Sequence, residues 1–179
     1  MHDTKMKLSD ATERHTLTVL VDNEAGVLAR VVGLFSGRGY NIESLTVAEV
    51  DAMARTSRIT IVTSGTPEVI EQIEAQLRRL VPTHKVTNWT DVKNGAKAGI
   101  EREMALIKVA GTGEKRVEAL RMADAFRARP VDTTHASFVF EITGAPAKID
   151  SFIELMRPLG LVEISRTGVA AISRGPDAM

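Results

Sequence analysis

The chain has 179 residues, 44% of them hydrophobic and 26% charged, with zero formal net charge, 4% aromatic residues and no cysteine. That length suits one medium domain or two small ones. The neutral balance and scarce aromatics argue against a nucleic-acid partner, and the missing thiols exclude disulfides, thiolate catalysis and thiolate zinc sites. No apolar run approaches the ~18 residues needed to cross a bilayer and the N-terminus has no signal-peptide pattern, so the expected location is the cytoplasm, with no membrane partner.

Residues 1–13 are polar and read as a flexible tail. From His15 to Val21, Leu17, Val19 and Val21 alternate with threonines, which is strand period. Leu28, Val31, Val32 and Phe35 then fall on one helix face, and Gly37 and Gly39 stop that helix. Ile42–Val50 reads as a strand, 51–56 as a turn and Arg58–Thr63 as a short β-branched strand. Thr66-Pro67 is a helix start, a capping hydroxyl followed by proline at the first helical position. Ile70, Ile73, Leu77 and Leu80 form that helix's buried stripe, Pro82 ends it, and Lys85–Thr90 closes the unit.

Asp91–Gly99 carries Asn94-Gly95 and Gly99 and reads as a linker, so the first domain is placed at 14–91 and the linker at 92–99. The same order then recurs over 100–175. Strand Glu101–Val109 is followed by a Gly111-Thr112-Gly113 turn and helix Val117–Arg127, with Ala119, Met122, Ala123 and Phe126 on one face. Strands Val131–Thr134 and Ser137–Thr143 come next. Helix Pro146–Arg157 follows, with Ile149, Phe152, Ile153 and Met156 inward, and strand Leu161–Ile172 closes the repeat. The prediction is an α+β protein of two ferredoxin-like βαββαβ domains in tandem, each an antiparallel sheet covered by two helices. Open sheets with unpaired edges and small cores favour a homodimer.

Few residues suggest chemistry. Gly26 lies where a strand feeds a helix start. There it can serve as an ordinary turn glycine, or let a carboxylate reach the Val27 and Leu28 amides at the positive end of the helix. Asn23 could bind an ammonium group or cap the helix. Asn41 is either a turn residue or, at a dimer edge, a contact to the neighbouring chain. Gly33, Gly37 and Gly39 do not make a dinucleotide fingerprint, because they lie within and after a helix. Gly111-Thr112-Gly113 lacks the spacing of a phosphate loop. The four histidines, His2, His15, His84 and His135, have no metal-ligand spacing. No nucleophile elbow is present, and Arg55, Arg58, Arg78-Arg79 and Lys115-Arg116 read as solvated faces.

One run carries a resemblance. Asn23-Glu24-x-Gly26-x-Leu28-x-Arg30-Val31-x-Gly33-Leu34-Phe35-Ser36-x-Arg38-Gly39-Tyr40-Asn41-Ile42-Glu43-Ser44-Leu45 resembles the regulatory (small) subunits of acetolactate synthase. The match continues through Ile73-Glu74-x-Gln76-Leu77, Glu101–Val109 and Ser165–Val169. It implies that the first domain is an ACT (amino-acid-binding) domain and that the chain is no enzyme. It implies a site for valine or another branched-chain amino acid made of Asn23, Glu24, Ala25, Gly26, Val27 and Leu28, with Asn41 and Ile42 coming from the second copy in a homodimer. It also implies a catalytic large subunit as partner. That partner would carry thiamine diphosphate, Mg2+ and FAD while this chain holds no cofactor, and this chain would activate it and make it sensitive to feedback inhibition. The Val50–Thr56 turn is short for the family, and Pro82-Thr83-His84 and Asn88-Trp89 are untypical of it. The alternatives are a free-standing tandem ACT sensor with another partner, a metal-responsive regulator and an independent enzyme.

Overall fold

The structure is a computed structural model that describes residues 11–93, 96–97 and 99–179. Most of the expected tail at 1–13, His2 and the Asn94-Gly95 part of the expected linker lie outside the described residues. The chain divides into two compact units, one containing residues up to Ile100 together with Val169–Met179, the other Glu101–Gly168.

In the first unit β1 (Glu13–Asp22) leads into α1 (Val27–Ser36), β2 (Ser44–Asp51), β3 (Thr56–Gly65), α2 (Pro67–Arg79) and β4 (Thr83–Asn88). The sheet order is β2-β3-β1-β4, with antiparallel neighbours. This is the predicted βαββαβ arrangement. Leu17, Val19 and Val21 alternate along β1 and are fully buried with Ile59, Ile61, Ile73, Leu77 and Phe35. On α1 the buried face is Val27, Val31 and Phe35, with Leu34 packed against the core, whereas Leu28 stands 39% exposed. The expected face starting at Leu28 is therefore rotated, because the helix begins at Val27 and buries every fourth residue. Thr66 occupies the predicted cap of α2, but its hydroxyl makes no capping bond; its carbonyl accepts the Ile70 N–H at 3.0 Å.

The opposite face of this sheet is covered as well. Thr16, Thr18 and Thr60 are buried. Trp89 Nε1 donates to Thr18 Oγ1 at 2.7 Å, and Thr18 and Thr60 share a hydroxyl contact of 3.2 Å. The C-terminal segment holds on here too: the Val169 N–H donates to Ser44 Oγ at 3.3 Å, and Arg58 Nη1 donates to the Ala171 carbonyl at 3.2 Å. Arg58, expected on a solvated face, is thus half-buried.

The two-residue strands β5 (Val92–Lys93) and β6 (Ala96–Lys97) pair with each other in the expected linker. The second unit contains β7 (Gly99–Ala110, from Glu101 on), α3 (Gly113–Phe126), β8 (Arg129–Thr133), β9 (Ser137–Gly144), α4 (Pro146–Met156) and β10 (Leu161–Arg166). Its sheet order is β10-β7-β9-β8, the first unit's order read from the other edge. Phe126, Phe138, Phe140 and Phe152 pack in the core at ring separations of 5.2–6.1 Å. Arg116, also expected on a solvated face, lies 3.8 Å above the Phe138 ring. The helix α3 starts earlier than the predicted Val117, at Gly113.

The predicted closing strand Leu161–Ile172 is broken. It ends at Arg166, turns through Gly168 at φ +85°, and resumes as β11 (Ala170–Ser173), whose residues belong to the first unit. Thr167 secures the break by exchanging backbone and hydroxyl hydrogen bonds with Met104 at 3.0–3.2 Å. Just before it, Arg166 grips the buried Glu103 carboxylate with two bonds of 2.6 and 2.7 Å and reaches Asp150 at 2.7 Å. The hydrogen bond to Glu103, helped by that to Asp150, holds the guanidinium pKa above its ordinary value against the opposing effect of burial.

Gly160 turns the chain into β10 at φ +106°, and a Cβ there would sit 2.0 Å from the Ala110 carbonyl oxygen. Gly160→Ala combines left-handed strain with a backbone clash. It should lower unfolding free energy in urea titrations by about 2–5 kcal/mol.

Candidate functional site

The junction between β1 and α1 is set by one backbone conformation. Gly26 caps the helix at φ +84°, ψ −5°, a left-handed geometry that an L side chain enters only with strain. A Cβ at this position would meet nothing within 4 Å, so the surface over Gly26 is open. The Gly26 carbonyl accepts the Arg30 N–H at 3.1 Å. The Val27 amide turns back toward the Glu24 carbonyl at 3.4 Å. Among the described residues, the Leu28 and Ala29 amides have no backbone acceptor, as expected in a first helical turn. Of the two amides named from the sequence, Leu28 is therefore the freer donor.

Residues distant in sequence hold the loop. The Asn23 N–H donates to the Arg55 carbonyl at 2.6 Å, and Arg55 itself is left-handed at φ +50°. The Asp22 N–H donates to the Pro82 carbonyl at 3.2 Å, and His84 Nε2 lies 2.5 Å from Asp22 Oδ1. Arg30 Nη1 donates to the Val81 carbonyl at 2.7 Å and pairs with Glu24 at 2.8 Å. The Glu24 side chain is thus engaged by its own helix. Asn23, Glu24, Ala25 and Gly26 are exposed, Val27 is buried beneath them, and Leu28 projects from the surface.

Asn41 and Ile42 lie elsewhere. Thr63 Oγ1 donates to the Asn41 carbonyl at 2.6 Å, and Ile42 packs on the core from the turn before β2. In the β1–β3 register Thr63 faces His15, whereas Thr56 faces Asp22 beside the Gly26 loop. Seven residues of strand at ~3.3 Å each put the two parts roughly 23 Å apart along the sheet. Within one chain the structure brings Asn23–Leu28 together and leaves Asn41 and Ile42 at the other end.

The remaining sequence candidates stay silent. The Gly111 amide donates to the Ala136 carbonyl at 2.9 Å, so the turn is not an open phosphate cradle. Among the described residues no three His, Asp or Glu side chains gather in a way that could hold a metal ion. No described helix is long and apolar enough to cross a membrane. Arg30, Arg55 and His84 shape the loop, yet no local pattern marks them. In the sequence Arg55 reads as a solvated face and Pro82-Thr83-His84 only as untypical of the family.

Two successive βαββαβ units, the first entered through a left-handed glycine, have the architecture expected of tandem ACT-type domains. Two family models bear on it: one described as the AHAS small subunit-like ACT domain matches residues 17–85, and one described as the small subunit of acetolactate synthase matches residues 102–175. The chain is 42% identical over 167 residues to the small subunit of acetolactate synthase isozyme 3 of Escherichia coli, covering 93% of this chain and 99% of that one. It is 45% identical to the acetolactate synthase small subunit of Haemophilus influenzae, over 90% of this chain and 96% of that one. The crystal structure of the acetolactate synthase small subunit from Thermotoga maritima superposes with a TM-score of 0.77 at 38% identity, over 92% and 99% of the two chains. The chain belongs to the acetolactate synthase small-subunit family, the regulatory and non-catalytic part of that complex.

Gly26→Ala introduces no clash within the chain, so its cost isolates the backbone strain. Thermal and urea denaturation should show a loss of about 1–2 kcal/mol with the fold retained.

Proposed function

We propose that this chain activates an acetolactate synthase catalytic subunit in the cytoplasm and makes it sensitive to inhibition by valine or a related branched-chain amino acid. The observation that carries the effector reading is the left-handed Gly26 entry into α1, with an open surface above it and unpaired first-turn amides beyond it. An amino-acid carboxylate suits those donors and the positive end of the helix. The exposed Asn23 suits the ammonium group, and the exposed Leu28 with Ile42 of a second copy suits the branched side chain.

The site is completed by a homodimer. β2 is an edge strand whose outer residues Val47 and Val50 are 43% and 51% exposed. Its start lies by Asn41 and its end beside the Gly26 loop. A twofold axis that pairs two such edges antiparallel carries Asn41 and Ile42 of one copy toward the loop of the other. Valine bound across that junction favours one dimer arrangement. A catalytic partner that carries thiamine diphosphate, Mg2+ and FAD and binds the arrangements unequally then feels it. Coupling of this kind is typically ~1–3 kcal/mol, and it is reciprocal: the partner must change valine affinity by the same factor.

Titrating the catalytic subunit with this chain, with and without valine, tests both halves of the reading. Acetolactate formation should rise on addition of the chain and fall again with valine; no effect of the chain on the rate would refute the activating role. Gly26→Asp sets a carboxylate where the ligand's own belongs, a like-charge contact that costs several kcal/mol. The half-inhibitory valine concentration should rise at least about a hundredfold while activation is kept. Wild-type valine sensitivity in this variant would refute the site.

A further inference from the structure

We infer that the groove between α1 and α2 is where an acidic polypeptide segment of the catalytic partner docks. This rests on the reading of the chain as a regulatory subunit and adds to it the surface through which the partner is held. The groove has a volume of about 790 Å3 and is walled by Gly33, Leu34, Gly37 and Arg38 on one side and by Gln76 and Arg79 on the other, with Arg30 at its edge.

Two observations point to that occupant. The first is the bare floor. Gly33 sits inside α1, yet its φ is not positive and a Cβ there would meet nothing within 4 Å. Nothing in the chain's own packing requires glycine, although glycine weakens a helix interior relative to alanine. With Gly37 one turn on, it leaves a track on which another backbone can lie close.

The second is charge. Arg78 pairs with Glu74 at 2.6 Å and Arg30 with Glu24 at 2.8 Å, whereas Arg38 and Arg79 are exposed and have no carboxylate partner among the described residues. Two unpaired guanidinium groups flanking one groove match carboxylates, which they can bind bidentately. An inorganic anion would meet the arginines but use neither the glycine track nor Leu34, which also lines the groove. A polypeptide rich in Asp or Glu supplies carboxylates for Arg38 and Arg79, a backbone for the track and an apolar contact for Leu34.

The experiment compares the wild-type chain with Arg38→Glu/Arg79→Glu and Arg38→Lys/Arg79→Lys, using the catalytic subunit from the same organism as the probe. For each, the chain concentration giving half-maximal activation is measured at low and high salt. Valine binding to the isolated chain is measured by calorimetry, and its size by sedimentation. The charge-reversed chain should need at least about tenfold more protein for half-maximal activation and lose the wild type's salt dependence. The lysine pair keeps the charge and loses the bidentate fork, so it should fall between wild type and the reversed chain. Valine heats and sedimentation should be unchanged throughout. Half-maximal activation of the reversed chain at the wild-type concentration overturns the inference, while wild-type activation leaves the regulatory reading standing. A change in its sedimentation overturns it too, by making the groove a contact between copies of this chain. If the wild-type chain itself neither binds nor activates the synthase, the regulatory reading falls and this inference falls with it.

Discussion

The register between β1 and β3 constrains everything else at the candidate site. It pairs Asp22 with Thr56 and His15 with Thr63, and so fixes the Gly26 loop and the Asn41 turn at opposite ends of one sheet. Strands are stiff at this length, and the helices packed across them lock the register through Leu17, Val19 and Val21. No side-chain rotation closes a gap of roughly 23 Å. A ligand that uses both ends must therefore use two chains. Under the proposed reading, dimerisation is a condition of binding, and binding would act directly on the dimer. A small effector has most leverage where its differential affinity falls on an interface that can take discrete arrangements.

The loop itself is held by contacts that position it more than they stabilise the fold. The Glu24–Arg30 and Asp22–His84 pairs are about half exposed, and pairs of that kind contribute only ~0–1 kcal/mol each. The free energy that keeps α1 in place comes from Val27, Val31 and Phe35 beneath it, at roughly 1.5–3 kcal/mol per fully buried side chain. The division suits a regulatory site. The helix is fixed by burial, whereas the polar tethers to Arg55, Val81 and Pro82 are exchangeable at little cost. Those tethers tie the loop to the β2–β3 turn and to the start of β4, so a ligand of the proposed kind would act on both edges of the sheet.

Much of this was legible in the amino-acid order. Alternating Leu17, Val19 and Val21 and the stripes at Ile70–Leu77 and Ile149–Met156 marked strands and helices, because burial on one face imposes those periods. The failures share a cause: burial supplied by a segment far along the chain. Arg58 and Arg116 read as solvated, yet the segment from Val169 bonds to Ser44 and Arg58, and the Phe138 ring lies under Arg116. Trp89 covers the threonine side of the same sheet. The Gly26 loop was readable as a strand-to-helix junction. Its tethers were not, since Arg55, Val81 and His84 meet it only after the sheet has formed.

The two units carry the same strand order, yet their first strand-to-helix junctions differ. At the first junction glycine is the cap: Gly26 is left-handed, and the chain enters α1 with an open surface above it. At the second, Thr112 caps α3 in an extended conformation at φ −127°, the left-handed residue is Gly113 inside the helix, and the Gly111 amide is taken by Ala136. A shift of one residue in where the backbone turns left changes which amides face outward. Topology therefore does not carry the open glycine cap with it. Two copies of one fold can present different groups at the same strand end, because a few backbone torsions there decide which amides face outward.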